Sequence, residues 1–246
     1  MQTAVLAVLL ASLPTLQHGV APIGSGNVVA APHEGFDEHT APLARAVAKA
    51  LGWGWVVATD YRAPKELRWF DVNRPTQRPE EDGELQKARV TDAGREVYAE
   101  YQARLQKASN VAAQDRLALL VELHGHARVI RPPGRDPLRV QVIELATQGF
   151  TKKELRRLKR RYLRLLQTLK RGDRIPLAVE QLDPTYKFAG HRLKFYFRAS
   201  GSKRAGSLSA ARTERALHFE LPSKIRFDER RRDLYAKLLA ALLRGL

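Results

Sequence analysis

The stretch LALLVELHGH at residues 117–126 decides the fold, because a strongly apolar run ends there in polar residues. Similar apolar runs recur along the chain: NVVAA before Pro32, WGWVVAT before Asp60, RVQVIEL before Ala146, IPLAVE at 175–180 and ALHFE at 216–220. Short apolar runs separated by helical patterns indicate buried strands of an α/β sheet. The sequence therefore predicts an α/β fold with polar motifs at strand ends, where open α/β sheets bind ligands.

Four helices are predicted between these runs. The first follows Pro42, carries its apolar side chains on one face and ends at Gly52. The others span about 84–108, 151–172 and 228–244. Thr151 and Glu154 form a capping box at the start of the third helix. Loops are predicted at 74–83, 131–137 and 198–212.

The size and cysteine content limit the classes of site. At 246 residues the chain is long enough for one α/β domain, which we expect over residues 15–246. The absence of cysteine excludes disulfides, thiolate zinc sites and a cysteine nucleophile, so a metal ligand must be His, Asp or Glu. Residues 1–14 contain the apolar run AVLAVLLASL, which is either an export signal or a first strand or buried segment. Cytoplasmic and exported locations both stay open.

The charge is strongly basic and unevenly distributed. The formal net charge is +17, and residues 152–174 carry eleven Lys or Arg against Glu154 and Asp173. This basic helix is either a solvated outer face or a docking surface for an anionic polymer or an acidic membrane. It has no ladder of aromatic residues, so no specific nucleic acid is expected. The sequence has no Gly-rich phosphate loop, Walker motif or GxSxG elbow, which argues against nucleotide and serine-hydrolase chemistry.

The motif PHEGFDEHT at 32–40 places a histidine directly after a predicted strand. One imidazole and one carboxylate from a single loop form part of a catalytic zinc site, which has three protein ligands and an open position for water. Asp37 is the first choice for the carboxylate and Glu34 the second. The alternative is that the loop merely caps the following helix.

The motif VELHGH at 121–126 supplies the distant ligand. His124 ends an apolar strand, where a histidine is costly unless it is hydrogen-bonded or bound to a metal. Alone it would be a satisfied core histidine, but together with His33 it favours a metal site. His126 ranks behind His124 as a ligand and could contact substrate instead.

The motifs YR at 61–62 and DVNRP at 71–75 supply cations. Arg74 can bind a carboxylate through two charge-assisted hydrogen bonds, and Asn73 adds a directional donor. The pair is therefore predicted to anchor an acidic substrate. The alternative is a surface turn before Pro75. Arg62 is a second candidate cation for the substrate or for a developing oxyanion.

Two late carboxylates compete for the role of general base. Glu180 and Glu220 each end a buried run, where desolvation raises the pKa of a carboxyl group toward a useful range. The alternative for Glu180 is a structural hydrogen bond or salt bridge.

In chain order, these motifs resemble the N-formylglutamate amidohydrolase family, whose members are similar to zinc carboxypeptidases and aspartoacylase-type deacylases. The resemblance covers roughly residues 19–243. The matching elements are PHxG at His33 to Asp37, YR at 61–62, DxNRP at 71–75, xHG at Leu123 to Gly125, and ExPxxxR at Glu220, Pro222 and Arg226. The departure is Phe36, which stands where the related zinc carboxypeptidases carry a carboxylate ligand.

The resemblance implies a three-layer αβα sandwich with a mixed central sheet, similar to the zinc carboxypeptidases. It implies zinc on His33, Asp37 and His124, with Glu220 preferred over Glu180 as the base. Asn73 and Arg74 would hold the substrate carboxylate, and Arg62 would assist at the carbonyl oxygen. The expected activity is hydrolysis of the amide bond of an N-acyl or N-formyl amino acid or a small acidic peptide. A cell-wall or poly-glutamate amidase and a non-catalytic polyanion-binding protein are the alternatives.

Overall fold

The structure is a computed structural model that describes residues 13–22, 26–112 and 115–246. Its strands are β1 Thr15–Gly19, β2 Asn27–Glu34, β3 Gly54–Thr59, β4 Arg62–Ala63, β5 Arg68–Asp71, β6 Thr76–Gln77, β7 Glu80–Glu81, β8 Glu84–Leu85, β9 Arg89–Val90, β10 Leu117–His126, β11 Val129–Ile130, β12 Leu138–Arg139, β13 Ile143–Gln148, β14 Leu177–Val179, β15 Thr185–Phe188, β16 His191–Lys194 and β17 Thr213–Pro222. Its α-helices are α1 Thr40–Leu51, α2 Asp92–Ser109, α3 Lys152–Gln167, α4 Ser200–Ala205, α5 Ser223–Arg226 and α6 Glu229–Leu243. Two 3₁₀ turns span Pro64–Glu66 and Arg171–Asp173.

A seven-stranded mixed sheet, ordered β1-β3-β2-β10-β17-β13-β14, forms the centre of the fold. Strands β3, β2, β10 and β17 are parallel, whereas β13 and β14 run the opposite way and β1 is antiparallel to β3. All six predicted apolar runs contribute a strand to this sheet, which confirms the α/β class and the mixed sheet. The carboxyl ends of β2, β10 and β17 therefore meet at one edge.

Apolar side chains cover both faces of the sheet. Val29 and Ala31 of β2 belong to one core with helices α1, α3 and α6, and Val28 and Ala30 belong to a second core with α2. Successive side chains of a strand point to opposite faces. Because both faces are buried, the central strands are continuously apolar rather than alternating, and this pattern made them recognisable in the sequence.

The helix predictions are confirmed for α1 and α6 and corrected elsewhere. Helix α1 is followed by Gly52 in the left-handed conformation, φ 69°, and α6 matches the predicted 228–244 closely. Helix α3 has the predicted capping box but ends at Gln167, and Gly172 lies instead in the separate 3₁₀ turn Arg171–Asp173. Helix α2 begins at Asp92 rather than 84, since residues 84–85 and 89–90 are short strands.

Helix α2 packs against the sheet, with Tyr101 and Leu105 fully buried in the second core. Two of the loop predictions were wrong in detail. Residues 74–83 contain the short strands β6 and β7, and residues 198–212 contain helix α4. The apolar run at 4–13 lies almost entirely outside the described residues. No helix of the described part of the chain is long and apolar enough to span a membrane.

Candidate metal centre and its pocket

The candidate site lies at the edge where the parallel strands end. His33 lies near the end of β2, His124 near the end of β10 and Glu220 near the end of β17. His124 and Glu220 are direct register partners across the parallel pair. His33 and Glu220 are 187 positions apart in the sequence, but the order of the strands in the sheet brings them to the same edge.

His33, Asp37 and His124 form a buried triangle of potential metal donors. The distance is 3.1 Å from His33 Nδ1 to His124 Nδ1, 3.2 Å from His124 Nδ1 to Asp37 Oδ2 and 3.5 Å from His33 Nδ1 to Asp37 Oδ2. Ligands at about 2.0–2.1 Å from a tetrahedral zinc ion lie roughly 3.3 Å from one another. The triangle and its donor types, two imidazoles and one carboxylate, therefore fit a zinc ion.

The turn after His33 explains why the carboxylate at i+4 joins the triangle. The backbone N–H groups of Phe36 and Asp37 both donate to the carbonyl oxygen of His33, at 3.1 and 2.7 Å. Gly35 has φ +91°, and a Cβ there would lie 2.3 Å from Asp60 Oδ1. This tight turn returns Asp37 to His33, while the ring of Phe36 packs against Trp69 and is 46% exposed. The carboxylate that faces the histidines thus comes one residue after Phe36.

Glu34, the second choice for the ligand, is engaged elsewhere. Its carboxylate accepts hydrogen bonds from His39 N at 3.0 Å, Thr40 Oγ1 at 3.1 Å and Ala41 N at 2.6 Å. These are the first groups of helix α1, so Glu34 caps the helix. The loop therefore caps α1 through Glu34 and turns Asp37 toward the two histidines.

The protonation of the triangle follows from its burial and its neighbours. Burial, reinforced by the positive charge of Arg62, lowers the pKa of His33 to about 3, so its ring is neutral and offers a lone pair. Burial also disfavours the charged form of His124, but hydrogen bonds to Asp37 and Glu122 outweigh it and raise its pKa to about 10. In the metal-free chain, the His124 ring thus holds a proton that a metal would displace.

Glu122 lies behind His124 and is completely buried, with 0% exposure. Its Oε2 lies 3.2 Å from His124 Nε2, the ring nitrogen opposite the triangle. A carboxylate on the second ring nitrogen fixes the tautomer and orientation of a metal-binding histidine. Three other groups also donate to Glu122: Asn73 Nδ2 at 3.0 Å, Tyr101 OH at 3.2 Å and Ser207 Oγ at 2.6 Å.

Glu122, His124 and His218 form a second group of potential metal donors. Because Glu122 already accepts four hydrogen bonds, we interpret this group as the support of His124 rather than as a metal site. The sequence interpretation missed Glu122, and the available signal was an ionisable residue inside the apolar run LALLVEL.

Glu220 lines the pocket and is held by His218, its neighbour on the same face of β17. Its Oε1 lies 3.1 Å from His218 Nε2, whereas its Oε2 is buried and has no hydrogen-bond partner among the described residues. The His218 ring in turn packs against His124, with ring centroids 4.1 Å apart. His218 was also missed, although residues two apart in a strand share a face. Glu220 therefore has one oxygen held by His218 and one that stays unpaired among the described residues.

Asp71 organises the two candidate substrate-binding arginines. Its buried carboxylate accepts hydrogen bonds from Arg62, from Arg74 Nε at 2.9 Å and from Thr76 Oγ1 at 2.8 Å. Burial alone would raise the pKa of Asp71, but the positive charges, Arg62 first, lower it well below its ordinary value. Of the DVNRP motif, the sequence interpretation used Asn73 and Arg74 and overlooked the first residue, which holds both guanidinium groups in place.

All seven predicted site residues line a single cavity of about 500 Å³. They are His33, Asp37, Arg62, Asn73, Arg74, His124 and Glu220. The side-chain N–H of Asn73 donates to Glu122, so Asn73 also supports the carboxylate that lies behind His124. The outer wall consists of residues 196–202, which overlap the start of the predicted loop 198–212.

Two secondary candidates do not line this cavity. Glu180 forms an ion pair with Lys203, in agreement with the structural alternative considered for it. His126 Nε2 lies 2.9 Å from the carbonyl oxygen of Val142, and His126 Nδ1 accepts from Arg128 N at 3.3 Å. Both nitrogens of His126 are thus engaged away from the pocket.

The buried side chain of Arg226 connects the ends of β10 and β17 with the loop that follows β2. Its guanidinium donates to three carbonyl oxygens: Leu221 at 3.2 Å, Glu38 at 2.5 Å and His126 at 3.5 Å. It packs directly on Gly125, where an added Cβ would lie 2.3 Å from Arg226 Cζ. The glycine of the LHGH motif is therefore required by this buried cation.

No family model and no curated protein sequence matches this chain. Several solved structures are similar to it in fold. A gene product from Agrobacterium tumefaciens is 15% identical, with a TM-score of 0.50 over 92% of this chain and 92% of that chain. An N-formylglutamate amidohydrolase from Ralstonia eutropha JMP134 is 17% identical, with a TM-score of 0.49 over 92% of this chain and 94% of that chain. A bacteriophage poly-gamma-glutamate hydrolase is 14% identical, with a TM-score of 0.49 over 93% of this chain and 86% of that chain.

At these identities the similarity establishes the fold alone, and the fold rests on the Agrobacterium structure, whose TM-score is 0.50. One of the matched structures is an N-formylglutamate amidohydrolase, the family that the sequence motifs resemble.

Proposed function

We propose that this protein is a zinc-dependent amidohydrolase that cleaves the amide bond of an N-acyl amino acid, such as an N-formyl amino acid, or of a small acidic peptide. The observation that carries this proposal is the triangle of His33, Asp37 and His124 in the same cavity as the free oxygen of Glu220. The proposal includes the three-layer αβα arrangement of a zinc-carboxypeptidase-like fold.

The residues of the triangle would hold the metal through His33 Nδ1, Asp37 Oδ2 and His124 Nδ1. When bound, zinc supplies a Lewis acid that polarises a carbonyl group and lowers the pKa of water. Glu220 Oε2 accepts a proton from water and delivers it to the leaving amine. His218 holds the other oxygen of Glu220, so that the carboxylate keeps one orientation through both transfers.

Two cations recognise the substrate. Arg74 lies at the mouth of the cavity with its side chain 37% exposed, so it can reach a substrate carboxylate while it keeps its bond to Asp71. Arg62 is more deeply placed, with its side chain 14% exposed, and would stabilise negative charge on the carbonyl oxygen. Asp71 keeps both guanidinium groups ordered before the substrate arrives.

The test combines metal analysis with an amide-release assay. Purified protein should contain one zinc per chain and release amine from N-formyl amino acids, N-acetyl amino acids or short glutamyl peptides. His33→Ala and His124→Ala should lose zinc and activity together, whereas Glu34→Gln, which changes a neighbouring carboxylate that caps α1, should keep both. Zinc that stays stoichiometric after both histidines are replaced would refute the site.

The exposed face of α3 supports a second function, docking to an anionic polymer. Its exposed cations include Lys153, Arg156, Arg160 and Arg164, and none of them has a carboxylate partner in the part of the chain that the structure describes. A polyanion would bind there through charge neutralisation, with an affinity that falls steeply with salt. Binding of polyglutamate should weaken in Arg156→Glu/Arg160→Glu and be unchanged in His33→Ala. Equal binding by the charge-reversed variant would exclude this surface.

A further inference from the structure

The part of the outer wall that precedes helix α4 is a segment without regular secondary structure. Residues 195–199 connect β16 to α4, and Tyr196, Phe197, Arg198 and Ala199 line the cavity. Phe195 packs into an apolar cluster with Leu193 and Val140, whereas Tyr196 is 68% exposed, so little apolar packing holds the middle of the segment. An irregular segment beside a binding site needs partners for its backbone groups and depends on them for its position.

Glu144 provides those partners. It lies in β13 with 1% exposure and is the register partner of Glu220. Its Oε2 accepts hydrogen bonds from two consecutive backbone N–H groups, those of Tyr196 and Phe197, each at 2.8 Å. A single buried oxygen thus fixes the middle of the wall to the central sheet.

The other oxygen of Glu144 is bound equally firmly. Its Oε1 accepts from Arg128 NH1 at 2.6 Å and from Tyr186 OH at 2.6 Å. Arg128 also donates to the carbonyl oxygen of Lys194 at 3.1 Å and stacks on the ring of Tyr196 at 5.2 Å. Both oxygens of the buried Glu144 carboxylate are therefore hydrogen-bonded, and Arg128 balances its charge. Through its bond to Lys194, Arg128 also holds the residue just before segment 195–199.

We propose that Glu144 is a positioning residue that fixes residues 195–199 as the substrate-binding wall of the pocket. This inference rests on the proposed hydrolase function for its kinetic consequence, but not for its structural one. Glu144 contacts neither the triangle of His33, Asp37 and His124 nor the free oxygen of Glu220. Its loss should therefore weaken substrate binding and leave zinc binding and the chemical step in place.

The first experiment is hydrogen–deuterium exchange of the two amides in the full-length protein. In the wild type, the amides of Tyr196 and Phe197 should be protected although the segment is irregular. Glu144→Ala should speed their exchange by about tenfold or more, because charge-assisted hydrogen bonds are lost. Glu144→Gln, which keeps one acceptor oxygen, should give an intermediate rate. Wild-type amides that exchange at the rate of an unprotected chain would overturn the proposal without any variant.

The second experiment separates binding from catalysis. Glu144→Ala should raise KM about tenfold while kcat and zinc content stay within about twofold of the wild type. Glu180→Gln is the matched control, because it removes another carboxylate bound near α4 and should leave KM and the two amides unchanged. A fall in kcat with KM unchanged would contradict the positioning role. If Glu144→Ala does not fold, Tyr186→Phe removes one donor to the same carboxylate and should speed the exchange of both amides, and unchanged exchange would contradict the proposal. Failure of the hydrolase function would appear separately, as absent zinc and absent amine release.

Discussion

Glu122 Oε2 lies 3.2 Å from His124 Nε2, on the side of the ring opposite the nitrogen that meets His33 and Asp37. The two residues are adjacent on one face of β10, so the strand itself sets their spacing. A buried carboxylate thus orients the histidine that completes the triangle.

Glu122→Gln should lower zinc affinity by about 10–100-fold, because the substituted amide no longer fixes the tautomer of His124. Competition with a chelator measures this affinity. Tyr101→Phe removes one donor to Glu122 without touching His124, and it should change zinc affinity much less. Equal losses in the two variants would indicate general damage to the core instead of an oriented ligand.

Asp37→Asn and Glu34→Ala should have separable effects. The first should abolish tight zinc binding, since one of three donors is lost. The second should lower the free energy of unfolding by about 0.5–2 kcal/mol through loss of the cap on α1, while zinc remains bound. Metal analysis and thermal unfolding distinguish the two. Loss of zinc in Glu34→Ala alone would show that Glu34 is the ligand.

Glu220→Gln should reduce kcat by about 10²–10⁴-fold and leave zinc content unchanged, because it removes a proton acceptor and not a ligand. Steady-state kinetics with metal analysis check this. Glu180→Gln should be nearly silent, since Glu180 pairs with Lys203 outside the pocket. The reverse pattern would make Glu180 the base.

Gly125→Ala should destabilise the protein by about 1–3 kcal/mol, because the new methyl group would collide with the buried guanidinium of Arg226. Gly172→Ala is the matched control, since a Cβ there meets nothing within 4 Å. Denaturant unfolding of the two variants measures the difference. Equal stability would mean that Arg226 moves without cost.

Acid should destabilise the fold partly through Asp71. Its folded-state pKa lies below its ordinary value of 3.8, so the unfolded chain takes up the proton first as the pH falls. The stabilisation is complete above about pH 4 and declines below it. In metal-free protein, Asp71→Asn should make stability less dependent on pH in this range, as measured by denaturant unfolding. An unchanged pH dependence would show that Arg62 and Arg74 do not hold this carboxylate ionised.

The strands and the order of the motifs could be predicted because they depend on local composition. Continuous apolar runs identify strands buried on both faces, and a polar residue that ends such a run marks the functional edge. Helix α1 was equally clear, since Gly52 ends it in a conformation that favours glycine. Strand β1 was missed because TLQHG is short and polar, and helix α4 because it contains Gly and Ser.

Several site residues could not be predicted because their roles depend on partners far away in sequence. Glu122, Glu144 and His218 lie within apolar runs and gave no motif, yet each is buried and hydrogen-bonded to a residue that lines the pocket. Their distant partners are Ser207 for Glu122, Tyr196 for Glu144 and the ring of His124 for His218, and folding brings these residues together.

The sequence alone determined the α/β class, six of the seven strands of the central sheet and seven of the residues that line one cavity, since hydrophobic pattern and residue type are local properties. Only the tertiary structure decided that Asp37 rather than Glu34 faces the two histidines, that Glu220 rather than Glu180 lies in the pocket, and that Glu144 holds its wall. These choices depend on the turn at Gly35 and on strand order, because distances between side chains in space are set by the packed sheet and not by spacing along the chain.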